Sequence, residues 1–391
     1  MISHHRKFKT RARSYAMAKH LVNKGHKVTL VVTSNTRKLR IVQSNLEGVY
    51  TIETPDLLWG RLRSGWDFWS LISRMMYLLR HNNRYDLVHC FETRPATIYP
   101  AILYCRHNKI PLITDWNDWW GRGGLIDECR PYFYRIFFGR VETYYEEAFR
   151  IRGAGLTVIS TALGRRAEDL GVPRERICYI PGGTFPDFFC AKKKEDCRRQ
   201  VGLPLKAPIV GFSSLDSHLD LEMMMKVVSI VAKKYPDVKL IITGKPKKSV
   251  RNLTKIYGLT NNIYLTGFLR FEELPKYLSC ADLFILPFPN KIYNVGRWPN
   301  KIGEYISLGR PTISNPVGDI KELFETCNIG LLANWDPEDF ANKIIYLIEN
   351  SSIANQLGEN ARQVALHRYN WSILINRLEE FYYKILERER R

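Results

Sequence analysis

Short apolar runs alternate with helical patterns along the whole chain, and that order restricts it to parallel α/β sheets. Five runs (27–33, 87–90, 112–114, 156–159 and 177–180) make a first series. Six more (209–212, 239–243, 262–265, 283–286, 311–314 and 330–332) make a second. Helical patterns fall between them, as at 13–23, 220–234, 272–280 and 336–350. The stretch 181–207, rich in Pro, Gly and charge, separates the series. At 391 residues the chain exceeds the size at which one core keeps growing. Two domains are therefore expected, 1–183 and 184–365. The first helix begins only about ten residues in, and Met1-Ile2-Ser3 alone precede a basic loop. A doubly wound domain needs a central strand before its first helix. The first strand is therefore expected to be truncated.

The net charge is +20, and the first acidic residue, Glu47, follows eleven lysines and arginines. Such a bias favours an anionic partner: nucleic acid, an acidic membrane surface or a phosphorylated substrate. Eight scattered cysteines without a Cys-x-x-Cys pair indicate neither a disulfide framework nor a zinc site. A reducing cytosol, no metal and no cofactor are expected. No apolar run approaches the roughly 20 residues of a membrane span.

The segment Pro287 to Gly318 carries the most chemistry. The run Leu283–Leu286 reads as a buried parallel strand. A loop with Arg297 follows, then Pro299 at a first helical position, then a short helix stopping at Gly309. Lys301 and Glu304 are three apart and share a helix face. Backbone N–H groups at that helix start, with Arg297 and Lys301 beside them, suit a phosphate. Glu304, one turn on, suits sugar hydroxyls. Breaking a sugar–diphosphate bond develops negative charge on the leaving phosphate, so fixed positive potential there is the largest available help. Gly211, Ser213 and Gly244 allow close backbone approach at strand ends, where α/β sheets bind ligands, and His218 suits a phosphate oxygen.

The second cluster is Thr114-Asp115-Trp116-Asn117-Asp118-Trp119-Trp120-Gly121-Arg122-Gly123-Gly124. Indole faces of Trp116 and Trp119 suit sugar C–H surfaces, and Asp115 or Asp118 could orient or deprotonate an acceptor hydroxyl. Arg122, with His4, His5 and Arg6 in the first loop, suits an acceptor phosphate. The stretch Trp66–Arg80 has a narrow polar stripe of Asp67, Ser70 and Arg74 and a wide apolar face. A second aromatic–basic stretch runs Pro131–Arg140. Both suit an interfacial helix on an anionic leaflet, and equally helices covering a sheet.

These pieces, in this order, resemble a retaining glycosyltransferase of family 4. They are Lys24-Gly25-His26-Lys27-Val28-Thr29-Leu30, Tyr85-Asp86-Leu87-Val88-His89, Thr157-Val158-Ile159-Ser160, Ile180-Pro181-Gly182-Gly183, Gly267-Phe268, Ala281-Asp282, and Glu304 through Gly309-Arg310-Pro311 to Val317-Gly318. The resemblance implies the GT-B fold: two facing Rossmann-like domains, with a C-terminal segment, 366–391, crossing back to the N-terminal domain. It implies sugar transfer from a nucleoside diphosphate sugar, usually without metal and with retention, the leaving phosphate taking the acceptor proton. The nucleotide would lie on the C-terminal domain and the acceptor on the N-terminal one, with Lys245, Gly267 and Phe268 joining the donor set.

Three positions depart from the family pattern. Gly296 stands where a first glutamate pairs with Glu304. Phe212 and His218 stand where an Arg and a Lys are usual. Asn117 precedes Asp118 where a His is common. The function expected is transfer to a lipid-linked or glycan acceptor by a cytoplasmic enzyme peripheral on the inner face of the cell membrane, with no nucleic acid as partner. The alternative is a noncatalytic nucleotide-sugar-binding protein or an isomerase of the same fold.

Overall fold

A computed structural model describes all residues except 7–11, 35–39, 57–64, 82–83, 214–217, 245–247 and 391. The chain forms two compact units. One comprises Met1–Gly182, Val295–Trp298 and Trp371–Arg391; the other comprises Gly183–Asn294 and Pro299–Asn370.

The first unit holds an eight-stranded sheet. Its strands are β1 (Ile2–Arg6), β2 (Thr29–Thr33), β3 (Val42–Leu46), β4 (Val49–Thr54), β5 (Val88–Phe91), β6 (Leu112–Trp116), β7 (Gly155–Val158) and β8 (Ile177–Tyr179). The order is β3-β4-β2-β1-β5-β6-β7-β8. Only β3 runs antiparallel, joined to β4 through Glu47 and Gly48, both with positive φ. Two such residues between paired strands match the right-handed strand twist. No apolar run marks the first strand of this hairpin, since Val42-Gln-Ser-Asn-Leu46 is largely polar.

Where a basic loop was expected after Met1-Ile2-Ser3, the structure has a strand. Ile2–Arg6 forms β1 between β2 and β5, with Ile2 opposite both Val31 and Cys90. Ser3 and His4 are buried there, and the His4 carbonyl accepts from the Thr33 hydroxyl at 3.1 Å. A polar Ser-His-His-Arg sequence hid a strand whose main chain is paired on both sides. His4 is thus a strand residue and not part of a basic loop. The side chains of His5 and Arg6 lie outside the described residues.

Helices α1 (Arg13–Asn23), α2 (Phe68–Arg80), α3 (Pro95–Asn108), α4 (Leu125–Cys129) and α5 (Tyr132–Ile151) belong to this unit, as does the C-terminal helix Trp371–Arg390. That last helix is tied to the sheet by polar contacts. The Tyr382 hydroxyl lies 2.6 Å from His89 Nδ1, and the His89 Nε2 lies 3.0 Å from the Thr157 hydroxyl. Phe381 packs over Gly155, where a Cβ would touch its ring.

The second unit holds a six-stranded, wholly parallel sheet: β9 (Ile209–Phe212), β10 (Lys239–Ile242), β11 (Ile263–Leu265), β12 (Leu283–Leu286), β13 (Thr312–Ser314) and β14 (Gly330–Leu332). Its order, β11-β10-β9-β12-β13-β14, is that of a dinucleotide-binding sheet. The order reverses between β9 and β12, and ligands bind such sheets outside the carboxyl ends at that point. In the first sheet the reversal lies between β1 and β5.

Candidate active site

In the first unit the site is built at the ends of β5 and β6. The first sheet residue to revise is Asp115. It lies within β6 and is fully buried, not in a loop after the strand. Its carboxylate accepts from Arg13 Nε at 3.0 Å and from the Thr157 hydroxyl, while its carbonyl accepts from Arg150 Nη1 at 2.6 Å. An ion pair so enclosed reaches no acceptor, so Asp115 leaves the catalytic set. Its neighbour Trp116 is also buried, its indole N–H donating to Glu146 at 2.9 Å and to the Asp118 carbonyl at 3.0 Å. Trp116 is therefore not a platform for sugar. Trp119 stays half-buried beneath the Arg166 guanidinium, 4.2 Å from its ring centre. Arg122 is exposed.

Asp118 is the residue that remains. Burial pushes its carboxyl up to about 7, and Glu92 and Glu146 push the same way, while Arg297 and Arg94 oppose them. A carboxyl balanced near neutrality can hold or release a proton at working pH. The surrounding charges come from separate elements. Glu92 follows β5 with φ of 70°, a left-handed conformation rare for such a side chain. Arg94 caps the start of α3 and lies 5.5 Å from the Trp120 ring. Arg297 reaches the cluster from the segment Val295–Trp298.

The turn carrying Asp118 is held by one buried carboxylate. Glu146, on α5, accepts from Trp116 Nε1, from the Trp120 amide at 2.7 Å and from the Gly121 amide. Its own carboxyl is pushed up by burial and pulled back by these three donors. Gly121 is required, since a Cβ there would strike the Glu146 oxygen. Neither Glu92, Arg94 nor Glu146 was singled out from sequence. Glu92 and Arg94 directly follow an identified strand and were within reach; a helical Glu146 carried no signal.

In the second unit the site lies at the reversal between β9 and β12. Lys301 Nζ sits 4.2 Å from the centre of the Phe212 ring, at the carboxyl end of β9. The buried Ser213 amide donates to the Tyr305 hydroxyl at 2.9 Å, and the Tyr305 ring stacks on Phe284 at 4.0 Å and 3°. Lys301, Glu304 and Tyr305 share the helix Asn300–Ser307, in which Glu304 is buried. Pro299 is the N-cap of that helix, not its first residue, and makes no side-chain capping bond.

Gly211 serves packing: a Cβ would enter the Phe284 ring. Gly244 and Gly267 both have positive φ, and the Gly244 amide donates to the Gly267 carbonyl at 3.1 Å. That bridge leaves Phe268 exposed. His218 begins a helix, with its side chain outside the described residues, and Lys245 lies outside them altogether. Arg297 and Lys301, expected to share one phosphate, fall in different units. Among the described residues no three His, Cys, Asp or Glu are grouped to hold a metal ion.

Two doubly wound units, one with the strand order of a nucleotide-binding sheet, define a GT-B protein. Residues 13–188 match Glycosyltransferase Family 4, and residues 208–350 match Glycosyl transferases group 1. The chain belongs to this glycosyltransferase family and is a transferase. The Streptomyces kanamyceticus alpha-D-kanosaminyltransferase is 20% identical over 350 residues, 88% of this chain and 86% of that one. Sucrose-phosphate synthase from Thermosynechococcus elongatus has a TM-score of 0.76 at 17% identity, covering 96% and 92% of the two chains. Anabaena HepE, in complex with UDP and glucose, has a TM-score of 0.73 at 16% identity, covering 98% and 99%.

Proposed function

We propose that this enzyme moves a sugar from a nucleoside diphosphate sugar, with retention at the anomeric carbon, to a lipid-linked or glycan acceptor at an anionic membrane surface on the cytoplasmic side. The observation that carries the donor half is Lys301 over Phe212 at the strand-order reversal of a dinucleotide-type sheet. The UDP and glucose held by HepE support a nucleotide sugar as donor.

In this reading Lys301 supplies a compact positive charge to the diphosphate, which gains negative charge as the sugar–oxygen bond breaks. Glu304 binds donor-sugar hydroxyls. The backbone at Ser213, Gly244 and Gly267 meets the nucleotide, with Phe268 exposed beside it. Asp118 orients the acceptor hydroxyl, and Arg297 and Arg94 set how readily it ionises. In this reading Lys301 meets the phosphate charge and no metal takes part.

Thermal shift against UDP-, GDP- and ADP-sugars tests the donor half, since a ligand that binds only the folded state raises the melting temperature. One donor is expected to stand out, and Lys301→Ala to abolish its shift while leaving the unliganded melting point within a degree or so. Equal shifts in Lys301→Ala and the parent protein would place the diphosphate elsewhere. Product stereochemistry by NMR then decides retention.

A further inference from the structure

Two helices of the first unit are built inside out. In α2 the buried set includes Ser70, Ser73 and Arg74, whereas Phe68, Trp69, Met76 and Leu79 are exposed. Arg74 is fully buried, donating to the carbonyls of Ser3 and Ala96 and to the hydroxyls of Thr33 and Thr54 at 2.9 to 3.0 Å. Thus the polar stripe of Asp67, Ser70 and Arg74 faces the sheet, and much of the apolar side faces out. In α5, Glu142, Glu146 and Arg150 are buried, and Glu147 pairs with Arg166. Outward stand Tyr132, Phe133 (75% exposed), Ile136, Phe137 (68%), Phe138 and Val141.

These exposed residues are not the scattered singles that any soluble surface carries. Of twenty-two large exposed hydrophobics among the described residues, twelve lie on these two helices. Trp66, just before α2, meets Tyr145, in the C-terminal half of α5, edge-on at 5.2 Å. Cations frame the patch. Arg140 is exposed on α5, and Arg130 and Arg135 lie 5.5 and 5.7 Å from the rings of Tyr134 and Tyr132. Among the described residues neither these three nor Arg152 forms an ion pair. The nearby exposed acids, Asp127 and Glu128, are outnumbered.

We infer that the outward faces of α2 and the N-terminal half of α5 form a membrane seat. Phe133 and Phe137 enter the headgroup–acyl boundary, and Arg130, Arg135 and Arg140 meet anionic lipid headgroups. Aromatic rings beside guanidinium groups that have no ion-pair partner, with Arg135 donating to the Asp127 carbonyl at 3.1 Å, suit that interface, apolar below and negative above. Among the described residues no helix is long and apolar enough to cross a bilayer, so the contact lies in the plane of one leaflet. The inference names the surface behind the membrane part of the proposed function and is independent of the sugar-transfer part.

Flotation of the full chain with vesicles tests it, using phosphatidylcholine alone and phosphatidylcholine with about one third phosphatidylglycerol. The parent protein should float with the anionic vesicles. Phe133→Ser with Phe137→Ser should lower the bound fraction about tenfold or more. Arg135→Glu with Arg140→Glu should remove the preference for anionic lipid. Ile256→Ser, an exposed apolar control on the second unit, should change nothing. As a probe that spares the fold, Phe133→Trp should add indole emission to that of the nine native tryptophans, and brominated lipid should quench the added component. Donor-induced thermal shifts measured alongside report the sugar-transfer reading separately. Failure of the parent to float, an unquenched indole at position 133, or full retention of binding by the double Phe variant would overturn the seat. So would a lipid-free dimer abolished by that variant, which would make the face a contact between two copies.

Discussion

Both sheets pack apolar clusters, but they differ in what surrounds them. Behind β9, β10 and β12 the second unit packs an unbroken aliphatic and aromatic cluster, including Val210, Ile242, Ile285, Met224 and Phe340, all at or below 1% exposure. The first unit threads charge through its interior: Arg13 to Asp115, Asp115 to Thr157, Thr157 to His89, and His89 to Tyr382. Burial pushes His89 far below its ordinary range, so its imidazole is neutral and joins the hydroxyls on either side. An apolar core tolerates shape-conserving change, whereas a buried polar chain depends on every partner being present. The second unit is therefore the forgiving half and the first the exacting one.

Removing one link should break that contrast most visibly. Asp115→Ala leaves the Arg13 guanidinium buried without its counter-charge, and should cost about 3–5 kcal/mol. Urea unfolding followed by circular dichroism would show it; a loss below about 1 kcal/mol would mean the chain is slack.

Asp118 sharpens the comparison through pH. Its folded carboxyl is raised to about 7 from an ordinary 3.8, so the folded state holds a proton that the unfolded chain has already released. Its contribution is complete below about 4 and is lost as pH rises through about 7. Asp118→Asn, neutral at every pH, should therefore gain about 1–2 kcal/mol over the parent at pH 8, a gain that vanishes near pH 4. A melting-temperature difference independent of pH would show that Asp118 is not held protonated.

The smallest effect belongs to the second unit. Ile285→Val removes one methyl from β12 and should cost about 0.5–1.5 kcal/mol. If it cost as much as Asp115→Ala, the aliphatic core would be no more tolerant than the polar one.

Legibility in the sequence divides along the same line. All six strands of the second sheet lay in apolar runs, because a parallel strand covered on both faces is written in Val, Ile, Leu and Phe. In the first sheet β1 and β3 escaped, being rich in Ser, His, Gln and Asn whose pairing depends on partners elsewhere in the chain, and β4 escaped with its hairpin partner. The candidate site shows the same split. Lys301, Glu304 and Asp118 were marked by motif and spacing. Glu92, Arg94 and Glu146 emerged only where β5, α3 and α5 converge on one turn, and Asp115 exchanged a catalytic expectation for a buried ion pair.

Alternating apolar runs thus determined, without coordinates, a doubly wound α/β chain in two parts and a cationic helix after a buried strand. Periodicity and composition act over a few residues, and a short window holds them. The tertiary structure alone decided which carboxylate is enclosed and which is left to titrate near neutrality. It alone also turned Arg74 inward and Phe133 outward. Desolvation and pairing depend on what is packed alongside, and those neighbours stand tens to hundreds of residues away in the chain.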